Sequence, residues 1–584
     1  MRRPCLSISI SGLLALTTQV RAQADAGTSP ADGGVFFQPG TQPGTLANDL
    51  RPPSLCENCH GVYADYAAND TWKGTMMANA ARDPLFYAAL TIANQDISNS
   101  GEICVRCHSP RGWLFGRSMP PLISNLQSED LEGVQCDFCH RLTSGPAGET
   151  YVGNARYFVA DDFIRRGPIQ SAVAPHEWQY SPYHEESRLC GLCHDVSNPF
   201  RDGFAIERTY TEWLTSSFAV EGKSCQSCHL PSQRGQACGA PGMPERDVHR
   251  HELAGGNYWM PLVLAGEHPE LGRGDAYQRT AENAKNMLRA AATLAISAPP
   301  NVVAGNMLAF SVRVTNETGH KLPTGYPEGR RMWLEVKASD ESGNVLFQSG
   351  KYDAASATRI ADPELRTYEV RLSARGAEGF HFVLQDELLQ DNRIPPRGFV
   401  PGDDTRPVGR AYAMLDQNML AHWDDAPYLL AIPVTQHQRI DIHVTLWYQT
   451  TSREYVESLR EANHTDAYGD RMLALWQRYE RAPPFAMATQ VAAVDVVAPP
   501  EPSEATPEGG APRDAEDLPG AAPASNEGCG CTIGAADRPR ASLSFLLIAL
   551  AVLLRTKQEG QYEIDRTGRV VRRGTRGRDR FLRR

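Results

Sequence analysis

Five copies of one pattern, Cys-x-x-Cys-His, set the chemistry this chain can perform. They are Cys56-Glu57-Asn58-Cys59-His60, Cys104-Val105-Arg106-Cys107-His108, Cys136-Asp137-Phe138-Cys139-His140, Cys190-Gly191-Leu192-Cys193-His194 and Cys225-Gln226-Ser227-Cys228-His229. Two thiols three positions apart fall on one side of a helical turn, where each can form a thioether with a porphyrin vinyl group. The next histidine then reaches the iron as its proximal ligand. With 14 Cys and 16 His in 584 residues, chance predicts only about 0.01 copies of the pattern. Zinc sites and disulfides also use paired cysteines, but neither requires a histidine after every second one. The spacing therefore predicts five c-type haems, with iron on His60, His108, His140, His194 and His229.

Each iron has a second axial position. A strong-field ligand there suits electron transfer, whereas an open position permits chemistry on a small molecule. His184, in SPYHEESRLCGLCHD, and one of His249 and His251, in DVHRHELAGGN, are the first candidates, followed by His176 and His320. His268 also lies near the motifs. For each, the plainer role is a surface or hydrogen-bonding histidine. Met76 and Met77 sit in TWKGTMMANAARDPLF. The plainer role there is helix core; Met77 as a ligand would raise the potential of its haem relative to a two-histidine site. Cys238 follows His229 without a motif and is read as a thiol with no role.

From Cys56 to His229 there are 174 residues for five motifs. So little chain cannot build a large core around each cofactor, and the porphyrins must supply much of the buried apolar surface. Five such groups in that space lie close together, as an electron conduit requires. The region is expected to fold only with haem, by analogy with metal-coupled folding.

The elements that must position these residues change along the chain. A loop- and helix-rich haem domain is expected over 25–274, with a helical patch at Trp72–Asn94, and a connecting helix over 275–293. The segments MLAFSVRVTN, MWLEVKAS and IDIHVTLWYQ alternate and are rich in β-branched or aromatic residues. They predict a β-sandwich-like domain within 294–497, ending in a helix over roughly Arg453–Arg481 that Pro483-Pro484 stops. The fold class is thus α+β and multidomain.

Both ends carry targeting signals. Arg2-Arg3, the apolar run from Leu6 to Val20 and Ala22-Gln23-Ala24 read as a signal peptide over 1–24, with Cys5 incidental. A disordered Pro/Ala/Glu-rich linker is expected over 498–527. Over 528–584 come Cys529 and Cys531 in a GCGC string, the short apolar helix ASLSFLLIALAVLL and a basic tail. That tail resembles the myxobacterial C-terminal sorting signal, which implies display at the cell surface and a membrane anchor. It departs from that pattern in continuing from Arg555 to Arg584. The chain is therefore expected to be exported, to the periplasm or to the outer membrane and cell surface.

Net charge is −11, charged residues are 22 % and hydrophobic residues 41 % of the chain, and mean hydropathy is −0.41. These values exclude a polytopic membrane protein and argue against nucleic acid as a partner.

The strings CENCHGVYADY, ICVRCHSPRGWLFGRS, GVQCDFCHRL, LCGLCHDVSNP, ERTYTEWLTSSF with CQSCHLP, and HELAGGN resemble multihaem c-type cytochromes related to the tetrahaem cytochrome of ammonia oxidisers. GHKLPTGYPEGRRMWLEV, DNRIPPRGF and TLWYQTTSREY resemble the β-rich region that follows the haems in many of them. The resemblance covers about 54–497. It implies electron transfer to redox partner proteins or a terminal acceptor, through stacked haems ligated mostly by two histidines. The Trp-x-x-Ser-x-His element common after the first haem reads here Trp72-Lys73-Gly74-Thr75-Met76-Met77, so the first distal ligand stays open. The alternative is an oxidoreductase with one open haem acting on peroxide or a nitrogen oxide. A ligand-binding role for the β-rich region finds no catalytic motif to support it.

Overall fold

In a computed structural model the described residues are 38–500, apart from 148–149, 381–382, 417 and 436–437, together with strands Tyr562–Ile564 and Val570–Arg572. The signal peptide, most of the linker and the sorting tail lie outside the described residues, apart from that strand pair. Among the described residues no helix is long and apolar enough to cross a membrane.

The motifs sit on short helical turns, as thioether spacing demands. Helix Pro53–His60 starts with a proline in its first turn, where no amide partner is lost, and ends at Gly61. Helices Glu102–His108, Cys136–Arg141 and Cys225–His229 each hold a whole motif. Helix Ser187–Gly191 ends inside the fourth motif, and the turn is completed by the Cys193 and His194 amides donating to Cys190 O at 3.1 and 3.0 Å. Between the motifs the chain is mostly loop, and its own apolar core is small, built around Leu50, Phe86, Trp113, Phe138 and Tyr157.

Three expected helices differ in extent. The patch 72–94 is two helices, Ala68–Trp72 and Pro84–Asp96, separated by turns. Asp83 starts the second by accepting the Leu85 amide at 2.8 Å, a side-chain cap that lets the chain re-enter a helix after a break. The connecting helix spans Gly274–Ala291, and a strand begins immediately at Ala292. The terminal helix is a hairpin of Arg453–Ala462 and Tyr468–Arg478. It breaks where the Gln95 side chain accepts from the His464 and Thr465 amides at 2.8 and 3.1 Å.

The β-rich part contains a main sheet in the order Asn301–Val303, Phe485–Val497, Arg439–Gln449, Arg331–Asp340, Val345–Ser349, with Thr367–Tyr368 also paired to Arg331–Asp340. A second sheet runs Trp423–Ala431, Met307–Asn316, Ala292–Ser297. Alternation decides which face is buried. Leu308, Phe310, Val312 and Val314 point inward from one sheet, Leu334, Val336, Ile440, Ile442 and Val444 from the other, into one shared core. Strand Phe485–Val497 comes directly after Pro483-Pro484, so the prolines end a helix and open a long strand.

The haem-motif region and the β-rich region up to 500 fall within one compact unit. Four buried charges join them. Lys321 Nζ lies 2.5 Å from Asp391, Arg393 lies 2.7 Å from Asp391 and 2.9 Å from Glu212, and the Lys321 amide donates to Glu212 at 3.1 Å. Two cations balance two carboxylates, which is the condition for burying charge at tolerable cost. Main-chain bonds extend the seam: Ser217 N–H to Arg397 O at 2.9 Å and Val400 N–H to Thr215 O at 3.0 Å.

Candidate haem site

All five motifs open into one cavity of about 1540 Å³, whose wall includes each of the ten motif cysteines and five motif histidines. The ten cysteines and Cys238 are free thiols, which leaves the sulfurs available for thioethers.

The imidazoles are oriented for a metal. A ligating histidine needs one ring nitrogen for the metal and the other held by an acceptor that fixes the tautomer. His60 Nδ1 donates to Ala237 O at 2.9 Å, His108 Nδ1 to Ala80 O at 3.2 Å, His140 Nδ1 to Arg166 O at 2.7 Å and His229 Nδ1 to Ala254 O at 2.6 Å. His194 Nδ1 lies 3.5 Å from Glu207 Oε1. Every motif histidine is thus held at Nδ1, with Nε2 left for a metal. Burial lowers His60, His108, His140 and His229 from their ordinary value, keeping the lone pair available. At His194 burial acts the same way, but the Glu207 carboxylate outweighs it and the value rises. His108 also stacks on Phe86, ring centroids 4.2 Å apart.

Cysteines of different motifs lie near one another. Cys56 and Cys136 are close enough to perturb each other electrostatically, as are Cys107 and Cys193, and Cys190 and Cys225. Cys139 lies near enough to act electrostatically on Cys190 and Cys193. Motif neighbours in space are therefore first with third, second with fourth and fourth with fifth, the third meeting the fourth at Cys139. Burial pushes the Cys104 and Cys139 thiols up to about 12.

The distal candidates divide. His176, His184, His249, His251, His320, Met76 and Met77 all line the cavity, and His268 does not. The ring centroid of His251 is 6.3 Å from that of His140, and its Nδ1 bonds His249 O at 3.0 Å. Two imidazoles on opposite sides of one metal, each bonded at about 2 Å, would have centroids about 6 Å apart, a separation that the His251–His140 pair matches. His184 is parallel to His140 at 5.7 Å, but both its nitrogens are engaged, Nδ1 with Ser181 Oγ at 3.0 Å and Nε2 with Cys139 O at 2.9 Å. His320 bonds Lys321 O through Nδ1 at 3.1 Å and is close enough to His229 to be perturbed by it electrostatically. His249 is anchored to Leu230 O at 2.8 Å. His176 is exposed, bonds Glu177 O at 3.0 Å and acts electrostatically on His60 and His140. Burial brings His184, His251 and His320 down to about 4. The Met77 carbonyl takes the Val134 amide at 2.9 Å.

The cavity wall also contains Asp83, Glu207, Tyr326, Arg330 and Tyr455, to which motif spacing gives no clue. Burial raises Asp83 to about 6. The only sequence signal for Glu207, Tyr326 and Arg330 was their place in ERTYTEWL and GYPEGRR, whereas Asp83 lies in TWKGTMMANAARDPLF and Tyr455 in TLWYQTTSREY.

Residues 55–141, which hold the first three motifs, match the family model described as cytochrome c554 and c-prime. No curated protein matches the chain. Among solved structures, a penta-heme cytochrome c552 from Thermochromatium tepidum is similar at 18 % identity, with 76 % of this chain and 99 % of that one covered and a TM-score of 0.47. Over residues 55–141 the paired thiols, the Nδ1-anchored histidines and the similarity to the cytochrome c554 and c-prime family agree in pointing to haem.

Proposed function

We propose that this protein conducts electrons through five covalently bound c-type haems in the cell envelope. The observation that carries the reading is that all fifteen motif residues surround one cavity, with cysteines of different motifs within electrostatic reach of one another. When bound, each haem supplies an iron that passes between ferric and ferrous states. The chain's part is to hold five such groups close together and to exclude water from between them. The contacts support a path that runs first, third, fourth, fifth, with the second haem branching at the fourth, so that spatial order differs from chain order. His251 is proposed as the distal partner of His140, His320 of His229 and His176 of His60, with Met77 and His249 as the remaining candidates. In that arrangement the β-rich region is part of the haem site, since it supplies His320. The N-terminal signal and GCGC tail support export and anchoring, and protease shaving of intact cells tests them.

The test of conduction is stopped-flow mixing of the oxidised protein with less than one equivalent of a one-electron reductant. Redistribution among spectrally distinct haems after the mixing step is expected. Reduction that stays on one population would refute it.

One feature favours an oxidoreductase as a second reading. Asp83, Tyr326 and Tyr455 bring a carboxyl group and two phenols to the cavity, and both tyrosines lie close enough to Cys104 to be perturbed by it. Such groups could deliver protons to a substrate on an open haem. Carbon monoxide binding by the reduced protein distinguishes the readings, and its absence removes the second.

A further inference from the structure

Among the described residues, Arg111, Arg141, Arg330, Arg331, Arg359 and Arg410 have a buried guanidinium nitrogen without a hydrogen-bond partner, and of these Arg330 lines the haem cavity. A buried donor left unpaired needs a physical reason. The other cations on the cavity wall have one: Arg165 lies 2.8 Å from Asp137, Arg166 2.6 Å from Asp162, Lys223 3.2 Å from Glu221, Arg246 bonds Ser171 O at 3.3 Å, and Arg51 lies over the Phe163 ring.

The local backbone is shaped around Arg330. Its Nη1 donates to Thr324 O at 2.5 Å, which fixes one edge of the guanidinium. Gly325 lies beside that edge with φ +85°, and a Cβ there would sit 2.3 Å from Nη1. Only glycine leaves this space without strain. Glu207 is a carboxylate within electrostatic reach of Arg330, and it is already occupied by His194 and by the Thr209 hydroxyl at 3.1 Å. Arg330 thus lines the cavity with its Nε buried and without a hydrogen-bond partner.

A haem brings two carboxylates of its own, the propionates. We infer that Arg330, from the β-rich region, binds a propionate of one of the two haems held by His108 and His194. The choice of those two follows from Glu207, which acts electrostatically on both histidines and on which Arg330 acts in turn. A guanidinium fits the group well, because its planar donors match a carboxylate. Its charge also stabilises the reduced haem, so Arg330 tunes the potential of that one centre as well as positioning it.

This inference rests on the haem reading of the cavity, and one experiment separates their failures. In a crystal structure of the haem-loaded full chain, Arg330 Nε or Nη2 is expected within about 2.7–3.2 Å of a propionate oxygen. Haem present with Arg330 turned to Glu207 or to solvent overturns the inference alone; no haem overturns the underlying reading as well. Potentiometric titration supplies a readout that a purely structural role would not move. In Arg330→Gln one haem step should shift to lower potential with the others unchanged, and Arg330→Lys should restore part of it. Unmoved steps, or all steps moving together, overturn the inference. If Arg330→Gln does not assemble, Gly325→Ala keeps every charge but displaces the guanidinium, and the same step should fall.

Discussion

Replacing Lys321 with methionine tests the seam between the haem motifs and the β-rich region. Lys321 is fully buried, with Nζ 2.5 Å from an Asp391 carboxylate that is itself only 5 % exposed. Methionine nearly preserves the volume, so the change removes a charge and little packing. What remains is Arg393 facing both Asp391 and Glu212, one cation against two buried carboxylates. Breaking a buried ion pair by removing one partner costs about 3–5 kcal/mol, because the surviving charge stays buried without its counter-ion. For a unit of this size each kcal/mol lowers the melting temperature by about 1 °C, so Lys321→Met should melt about 3–5 °C below the parent protein. The assay is far-ultraviolet circular dichroism of holoprotein samples with matched haem content. Arg313→Gln is the control: the Arg313–Asp425 pair is 48 % and 46 % exposed, and such pairs contribute about 0–1 kcal/mol. If Lys321→Met melts with the control, the seam is not held by these charges and the reasoning fails.

Further outcomes follow from the same structure. Burial alone would raise Asp391, but Arg393 and Lys321 hold it well below the usual carboxylate range. Its folded value is depressed, so its stabilisation is complete above the unfolded value of about 3.9 and is lost as pH falls towards the folded one. Urea midpoints should show the Lys321→Met deficit largest at pH 7 and narrowing below about pH 4, where protonation removes the unpaired charge; a deficit that widens in acid would contradict this. His251→Ala should convert one haem to a carbon monoxide-binding form in the difference spectrum, whereas His268→Ala, outside the cavity, should leave the spectrum as it was. Gly74→Ala would place a methyl 2.3 Å from the Ala276 carbonyl group, in the packing of the haem segment on helix Gly274–Ala291. It should cost at least about 1–3 kcal/mol in urea unfolding, and an unchanged midpoint would show that the two backbones can separate.

The sequence announced the proximal half of the site and concealed the distal half, for a physical reason. Thioether attachment forces two cysteines and a histidine into five consecutive positions, so His60 or His229 is legible without a fold. A distal ligand obeys no such spacing. His251, the proposed partner of His140, lies 111 positions away from it in sequence, and DVHRHELAGGN alone could not separate it from His249. The charge seam was hidden likewise, since Glu212 and Arg393 are 181 positions apart. Alternating strands such as Met307–Asn316 were readable because one face is buried and the other wet. Strand Phe485–Val497 was not, because Pro483-Pro484 reads as a stop and its alanines carry little β preference. The helix expected over 453–481 breaks at Asn463–Asp466, where tertiary bonds from Gln95 and Thr91 outweigh local propensity.

The most direct measurement is a combined count on the purified mature chain: haem by the pyridine haemochrome method after denaturing electrophoresis, and electrons by anaerobic coulometric titration. Five haems that stay on the denatured chain and five electrons taken up per chain are predicted. A colourless protein, a zinc-loaded one, or haem that leaves on denaturation would contradict the account.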